Sequence, residues 1–197
     1  MSIKEMIGWG VLAVLLFWAV GAYNRLVRLR SRIDEAFAQL DVPLKRRYEL
    51  IANLVETARQ HVEHERETLE AVLAARDQAS VAADHARARP TRAAALGALT
   101  VAEQALGNSL ERLTAMAENY PELKADETLS RLGEELSGTE GRIAFARQAF
   151  NGAVQDYNAA AQQFPTRLLS RVFGFRRAGL LKVADEEAGR AAARMPF

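Results

Sequence analysis

The sequence contains no cysteine, and only three histidines and five prolines occur among its 197 residues. The lack of cysteine excludes a disulfide scaffold, a thiolate metal site, a cysteine nucleophile and a lipidated cysteine. Proline and the 12 glycines are scarce while alanine is abundant, so the composition favours a mostly helical chain. The net charge of +1 does not select nucleic acid as a partner.

Charge is absent from the 18 residues between Met6 and Tyr23. As a helix this segment is about 27 Å long, close to the hydrocarbon thickness of a bilayer, about 30 Å. Aromatic side chains near both ends of the segment favour the membrane interface. We therefore predict a transmembrane anchor within residues 1–23, which includes Met6, Trp9, Leu15, Trp18 and Tyr23.

Four arginines follow the apolar segment within ten residues, namely Arg25, Arg28, Arg30 and Arg32. By the positive-inside rule they predict a short N-terminus outside and a C-terminal part in the cytoplasm. A cleaved secretory signal is one alternative, because Ala19-Val20-Gly21 has a small-x-small pattern, but the arginines oppose translocation. A buried core helix is the other, although apolar residues around the whole circumference fit lipid better.

Beyond the anchor, apolar residues recur at steps of three and four, which indicates a helix with one buried stripe. The stripe consists of Ile33, Phe37, Leu40, Leu44, Tyr48, Ile51, Val55, Ala58 and Val62, and Leu69, Val72 and Ala75 continue it. The stripe stays in phase across Pro43, which leaves three alternatives. The helix continues through a kink at Pro43, the connection after Tyr23 bends, or the helix breaks near residues 61–64.

The remaining chain shows two more stripes, at residues 96–113 and 129–157, separated by a break at Pro121. Residues 82–91 lack large apolar side chains, and we predict a helix end and a loop there. The fold class is therefore all-α: an N-terminal transmembrane helix followed by an up-and-down bundle of three or four long helices with coiled-coil-like packing. The predicted bundle occupies residues 24–165.

Several short motifs resemble the LemA family of bacterial membrane-anchored proteins. They include Tyr23-Asn24-Arg25-Leu26-Val27-Arg28-Leu29, the run from Asp41 to Val55, Tyr120-Pro121-Glu122-Leu123-Lys124-Ala125, Tyr157-Asn158 and Phe164-Pro165. The chain differs from the family's usual pattern at Pro43, Ala52 and Phe150. The resemblance implies a membrane helix and a mostly cytoplasmic helical bundle, and it implies no established molecular function.

No residue pattern in the sequence indicates catalysis. His61 and Glu65 share a helical face, but the order His-x-x-His-Glu differs from that of zinc proteases and no third ligand is suggested. The segment Gly138-Thr139-Glu140-Gly141 lacks the lysine of a phosphate loop, and no nucleophile elbow occurs. We expect a protein that is not an enzyme and has no metal, cofactor or small-molecule substrate.

Two segments indicate binding instead. Lys45, Arg46, Arg47 and Tyr48 form a candidate docking patch for an acidic partner or anionic headgroups, with a solvated basic turn as the alternative. Residues 166–181 form a basic amphipathic tail segment, and residues 182–197 are expected to be weakly helical or disordered. The candidate contact residues of the tail segment are Leu168, Leu169, Val172, Phe173 and Phe175, which would face lipid, a neighbouring subunit or the protein's own bundle.

These features and the resemblance together predict a membrane-anchored, non-enzymatic scaffold or adaptor at the cytoplasmic face of the inner membrane, which self-associates, docks other membrane proteins, or does both. The expected partners are the lipid bilayer, further copies of the chain and other membrane proteins, without nucleic acid. An alternative is a regulatory partner of a membrane protease or signalling protein. A hydrolase or metal-dependent enzyme is the least favoured hypothesis.

Overall fold

The computed structural model describes residues 3–182, in which every regular element is helical. The long helices are α1 (Ile3–Arg59), α2 (Arg66–Ala88), α3 (Ala93–Ala117) and α5 (Glu127–Gln162). A 3₁₀ turn (Glu63–Glu65) precedes α2, and two short helices are α4 (Pro121–Ala125) and α6 (Thr166–Val172). The all-α prediction is confirmed, and residues 183–197, which include most of the predicted weak C-terminus, lie outside the described residues.

Helix α1 passes through both Tyr23 and Pro43 without interruption and ends before the turn at residues 60–65. Among the alternatives, a continuous helix through Pro43 and a break near His61 are therefore observed together. Proline removes one helical hydrogen bond, but Leu40 and Leu44 on either side of it are buried, and tertiary packing holds the helix across this position.

The bundle is up-and-down, because α2 returns along α1, α3 reverses again, and α5 runs antiparallel to α1. From Asn24 to Arg59, α1 rises about 54 Å above the anchor, whereas the 23 residues of α2 are only about 35 Å long. Arg87 near the end of α2 forms an ion pair with Asp41, 2.9 Å between Nε and Oδ2. The α2–α3 hairpin therefore packs along the half of α1 that is distal to the anchor.

The predicted stripes form the core. All nine members of the stripe from Ile33 to Val62, which runs along α1 into the turn after it, are buried, as are Leu69 and Val72 of α2. Near the anchor the core is closed by α1 and α5, whose Phe37 and Phe150 rings meet edge to face with centroids 5.6 Å apart. Burial of these stripes is the main driving force that holds the helices together.

The predicted helix end and loop at residues 82–91 are confirmed: α2 continues through most of this segment to Ala88, and residues 89–92 connect it to α3. The helix continues because alanine replaces large apolar residues in the interface. Ala79, Ala83 and Ala86 are buried, and these small side chains combine high helix propensity with close approach of the neighbouring helix.

Candidate functional site

The predicted docking patch at residues 45–48 does not form one surface, because the helix places two of its residues towards solvent and two towards the core. Lys45 and Arg46 are exposed, and each forms an ion pair within the bundle. The Lys45 Nζ atom lies 2.9 Å from Asp41 Oδ2, and the Arg46 Nη2 atom lies 2.7 Å from Glu135 Oε2. Both pairs face solvent on at least one side, so water and salt screen them strongly.

Arg47 and Tyr48 point into the bundle, and for these two residues the docking hypothesis is wrong because burial places them beyond the reach of a partner. The Arg47 guanidinium forms an ion pair with Glu103 and lies between that residue and Glu140. Its Nε atom is 2.7 Å from Glu140 Oε1, at an angle that makes the contact an ion pair and not a hydrogen bond. The Tyr48 hydroxyl donates to Glu103 and lies 3.3 Å from the carbonyl oxygen of Ala79.

We call Arg47, Tyr48, Glu103 and Glu140 the buried charge cluster. Burial raises the pKa of Glu140, and the positive charge of Arg47 opposes that increase. Burial also raises the pKa of Tyr48 above its usual range, and the neighbouring Glu103 raises it further, so the phenol stays protonated. The cluster joins α1, α3 and α5, and its charged and polar groups bind one another.

The sequence contains a signal for this cluster in the positions of its charged residues relative to the apolar stripes. Arg47, Glu103 and Glu140 each lie three or four residues from members of the apolar stripe of their own helix on both sides. Charges of opposite sign that are in phase with facing stripes predict a buried pair, since a helix cannot turn these positions to solvent without exposing its stripe.

His61 and Glu65, the pair weighed as metal ligands, make separate contacts at the distal end of the bundle. His61 Nε2 lies 3.5 Å from Asp126 Oδ2, and the Tyr120 hydroxyl donates to Glu65 across 3.0 Å. Within residues 3–182, no group of three or more histidine or acidic side chains is arranged to hold a metal ion.

The opposite end of the bundle contains the predicted anchor. Helix α1 is long and apolar enough to cross a membrane, and none of its most apolar 18-residue window is buried within the structure. Its side chains predicted to meet lipid are exposed, as are the four arginines after it. These residues are Met6, Trp9, Leu15, Trp18 and Tyr23, followed by Arg25, Arg28, Arg30 and Arg32.

The tail segment packs against the bundle at the end of the anchor. Tyr23 contacts the rings of Phe173 and Phe175 edge to face, with centroid separations of 5.2 and 5.5 Å. Gly174 has a φ of 72°, and the Phe175 amide donates to the carbonyl of Ser170 across 2.8 Å. This left-handed glycine ends α6 and turns the chain back over Tyr23.

One face of α6 is buried and the other is open. Ser170 is buried and its hydroxyl lies 3.0 Å from the carbonyl oxygen of Ala161 on α5, while Leu169 is half-buried. Leu168, Val172 and Phe173 are 58%, 79% and 57% exposed. The tail therefore folds back on its own bundle and still presents an apolar face at the level of Tyr23.

After Phe175 the chain leaves the anchor and runs along α5; we call residues 176–182 the C-terminal strap. Asn151 and Asn158 each make two 2.9 Å hydrogen bonds to the backbone of one strap residue, Leu181 and Ala178 respectively. The two asparagines are seven residues apart on α5, which is a rise of about 10.5 Å. The two strap residues they bind are three residues apart, which is about 10 Å of extended chain, so the two spacings match.

Further contacts hold the strap in place. The Tyr157 hydroxyl donates to the carbonyl of Arg176 across 3.0 Å, and the Gly179 amide donates to the carbonyl of Thr91 across 3.1 Å. A Cβ on Gly179 would lie 2.6 Å from the Cα of Ala93, so only glycine allows this approach. The strap therefore connects α5 to the segment between α2 and α3, and no apolar periodicity could have predicted it.

Comparison with known proteins gives matches over different lengths. The chain is 36% identical over 80 residues to the magnetosome protein MamQ of Magnetospirillum gryphiswaldense, which is 41% of this chain and 29% of that protein. It is 36% identical over 81 residues to two proteins of Paramagnetospirillum magneticum, MamQ 1 and MamQ 2, each covered to 30%. The chain thus spans less than a third of the length of these curated relatives.

The family match is longer. It runs from residue 36, within the part of α1 that packs in the bundle, to residue 197, and it therefore includes the buried charge cluster, α6 and the strap. The motifs that resembled the family in the sequence lie mostly in this range. This chain belongs to the LemA family.

Proposed function

We propose that this protein is a membrane-anchored, non-enzymatic scaffold or adaptor whose bundle stands on the cytoplasmic face of the inner membrane. The observation that carries the proposal is the unbroken course of α1, which serves both as the apolar segment and as a core helix of the bundle. No flexible linker separates the two, so the bundle surfaces are held at a fixed distance and orientation relative to the membrane-spanning segment.

The chemistry of the described residues supports a role other than catalysis. The most strongly charged interior group is the buried charge cluster, in which the single cation Arg47 pairs with both Glu103 and Glu140 across three helices. An enzyme would need such groups at the wall of a cleft, free to meet a substrate. Here they contribute to the fit of α1, α3 and α5.

The orientation follows from the arginines after Tyr23, and the absence of cysteine makes it simple to test. Single cysteines at Ser2 and at the exposed Ser137 can be labelled in intact cells with a reagent that does not cross the inner membrane. We expect labelling of Ser2→Cys, and labelling of Ser137→Cys only after the membrane is opened. The reverse pattern would refute the proposed orientation.

The scaffold function predicts contacts with a second copy or with a defined membrane protein. Photo-crosslinking residues are best placed at Val42, Val101 and Phe145, large apolar side chains on outer faces of the bundle that are 69%, 67% and 76% exposed. The polar, exposed Glu111 serves as the control position. We expect a discrete crosslinked species in native membranes and a mass above that of the monomer in detergent. A monomer without crosslinks at any of the three positions would refute the scaffold.

The open face of α6 is proposed to rest in the membrane interface. It lies beside Tyr23, and Arg167 and Arg171 on the same helix suit anionic headgroups. Replacing Leu168 and Val172 by serine should weaken the association of α6 with vesicles, measured by the protection of α6 amides from hydrogen exchange. Serine at Val81, which is exposed on α2, is the control. Unchanged protection of α6 would exclude this contact.

A further inference from the structure

An open cleft of about 960 Å³ lies on α1 and α5 at the end of the bundle next to the anchor. Arg25, Arg28 and Arg32 line it from α1, with Leu29 among them. The opposite wall belongs to the end of α5 and the residue after it, and it consists of Asp156, Ala159, Ala160, Gln162 and Gln163. The small alanine side chains on α5 leave the space that the cleft occupies.

The three arginines are spaced by three and four residues, so they share one face of α1 and converge on the cleft. They are exposed, and among residues 3–182 no carboxylate lies within ion-pair distance of them. Arg46, Arg47 and other arginines of the bundle, in contrast, are paired with acidic side chains. Three cations thus face a single carboxylate, that of Asp156.

The position of the cleft selects its ligand. Arg25 follows Tyr23 by two residues, about 3 Å of helix, which is the level of lipid headgroups if Tyr23 ends the membrane span. Guanidinium groups bind phosphate through paired, charge-assisted hydrogen bonds, and the amides of Gln162 and Gln163 add neutral donors. A volume of this size accommodates one headgroup.

We propose that this cleft binds the phosphate of an anionic phospholipid headgroup, beside the protein's own transmembrane helix. The proposal rests on the proposed membrane orientation for its choice of lipid over a soluble phosphate. It gives the juxtamembrane arginines a second role besides setting topology. The bound lipid would connect α1 to the end of α5.

The chain supplies its own probe, because Trp18 lies seven residues before Arg25, about 10 Å along α1. Full-length protein in neutral detergent is mixed with phosphatidylglycerol that carries a fluorescent acceptor on one acyl chain, and energy transfer from tryptophan reports binding. Unlabelled phosphatidylglycerol should displace the probe, while phosphatidylcholine should not. Equal displacement by both lipids would overturn the proposal.

Two kinds of variant distinguish binding in the cleft from unspecific binding to a positively charged surface. Arg28→Gln with Arg32→Gln should weaken binding about tenfold or more, since each removes a charge-assisted contact. Ala159→Phe should cause a similar loss by filling the cleft without changing charge, and Ala159 is exposed enough to accept the larger ring. The controls are the pair Arg112→Gln with Arg131→Gln, and Ala149→Phe, all at exposed positions that do not line the cleft.

If Ala159→Phe binds the lipid as well as wild type does, the cleft is not the binding site, even if the arginine variants lose affinity. Displacement of the probe by glycerol 3-phosphate or inorganic phosphate as effectively as by phosphatidylglycerol would overturn the lipid as ligand. Because these measurements are made in detergent, they do not depend on orientation. Cysteine labelling of the same protein shows independently whether the proposed topology holds.

Discussion

Arg46 and Arg47 are adjacent in sequence and both form ion pairs with glutamates of α5, yet the fold predicts very different consequences for their loss. The side chain of Arg47 is 8% exposed, whereas that of Arg46 is 49% exposed. Arg47→Ala would remove the cation that Glu103 and Glu140, which are 20% and 28% exposed, both contact. Arg46→Ala would leave Glu135 in contact with water.

Removing one partner of a buried ion pair typically costs about 3–5 kcal/mol, because the remaining charge stays buried and unpaired. Removing one partner of an exposed pair costs about 0–1 kcal/mol. For a domain of this size, each kcal/mol shifts the midpoint of thermal unfolding by about 2–4 °C. We therefore expect Arg47→Ala to lower the midpoint by about 6–20 °C, and Arg46→Ala by no more than about 4 °C.

The midpoint is measured for the full-length protein in detergent by the loss of helical circular dichroism. A third variant tests the cause. Adding Glu103→Gln and Glu140→Gln to the Arg47 variant removes the unpaired charges, and it should recover a large part of the lost stability. Equal shifts for Arg46→Ala and Arg47→Ala would refute the assigned burial. Failure of the neutral variant to recover stability would refute the charge explanation.

Other perturbations test the strap and the titration of the cluster. Gly179→Ala should loosen the strap and speed its amide exchange, because the new methyl group meets the backbone of Ala93; Gly138→Ala, which meets nothing within 4 Å, should leave exchange unchanged. Asn158→Ala removes both hydrogen bonds to one strap residue, and unaltered strap protection would contradict their role. Burial raises the pKa of Glu140, so its ionisation opposes folding. Its contribution is fully present below the unfolded pKa and is lost as pH rises through the folded value. The melting midpoint of Glu140→Gln should therefore improve relative to wild type as the pH rises above about 4, the unfolded value, and a constant difference would contradict this sign.

The sequence predicted the helices well because each presents one apolar stripe, and stripes are read from local spacing alone. Ile33 to Val62 and Leu129 to Tyr157 are cases in which periodicity and burial agree. The path of the chain was open, since local rules allow a helix that continues through a kink at Pro43, a bend after Tyr23 or a break near residues 61–64, and only packing on α5 and α2 selects among them.

The site was less predictable, because it depends on contacts between distant residues. Arg47 was grouped with Lys45 and Arg46 as a basic run, and only the register of α1 against α3 and α5 separates it from them. The strap has no periodicity, and it is held by side chains of α5 that bond its backbone. Because these contacts are made to the strap's backbone, they impose no recognisable pattern on its side chains.

With α1 spanning the membrane as proposed, its continuity also makes the protein a lever. A transmembrane helix tilts when the hydrocarbon core becomes thinner than its apolar length. With about 54 Å of the same helix beyond Tyr23, a tilt of about 20° moves the distal turn at residues 60–65 sideways by about 18 Å. A change of a few ångströms in bilayer thickness is thereby converted into a displacement several times larger at the far end of the bundle.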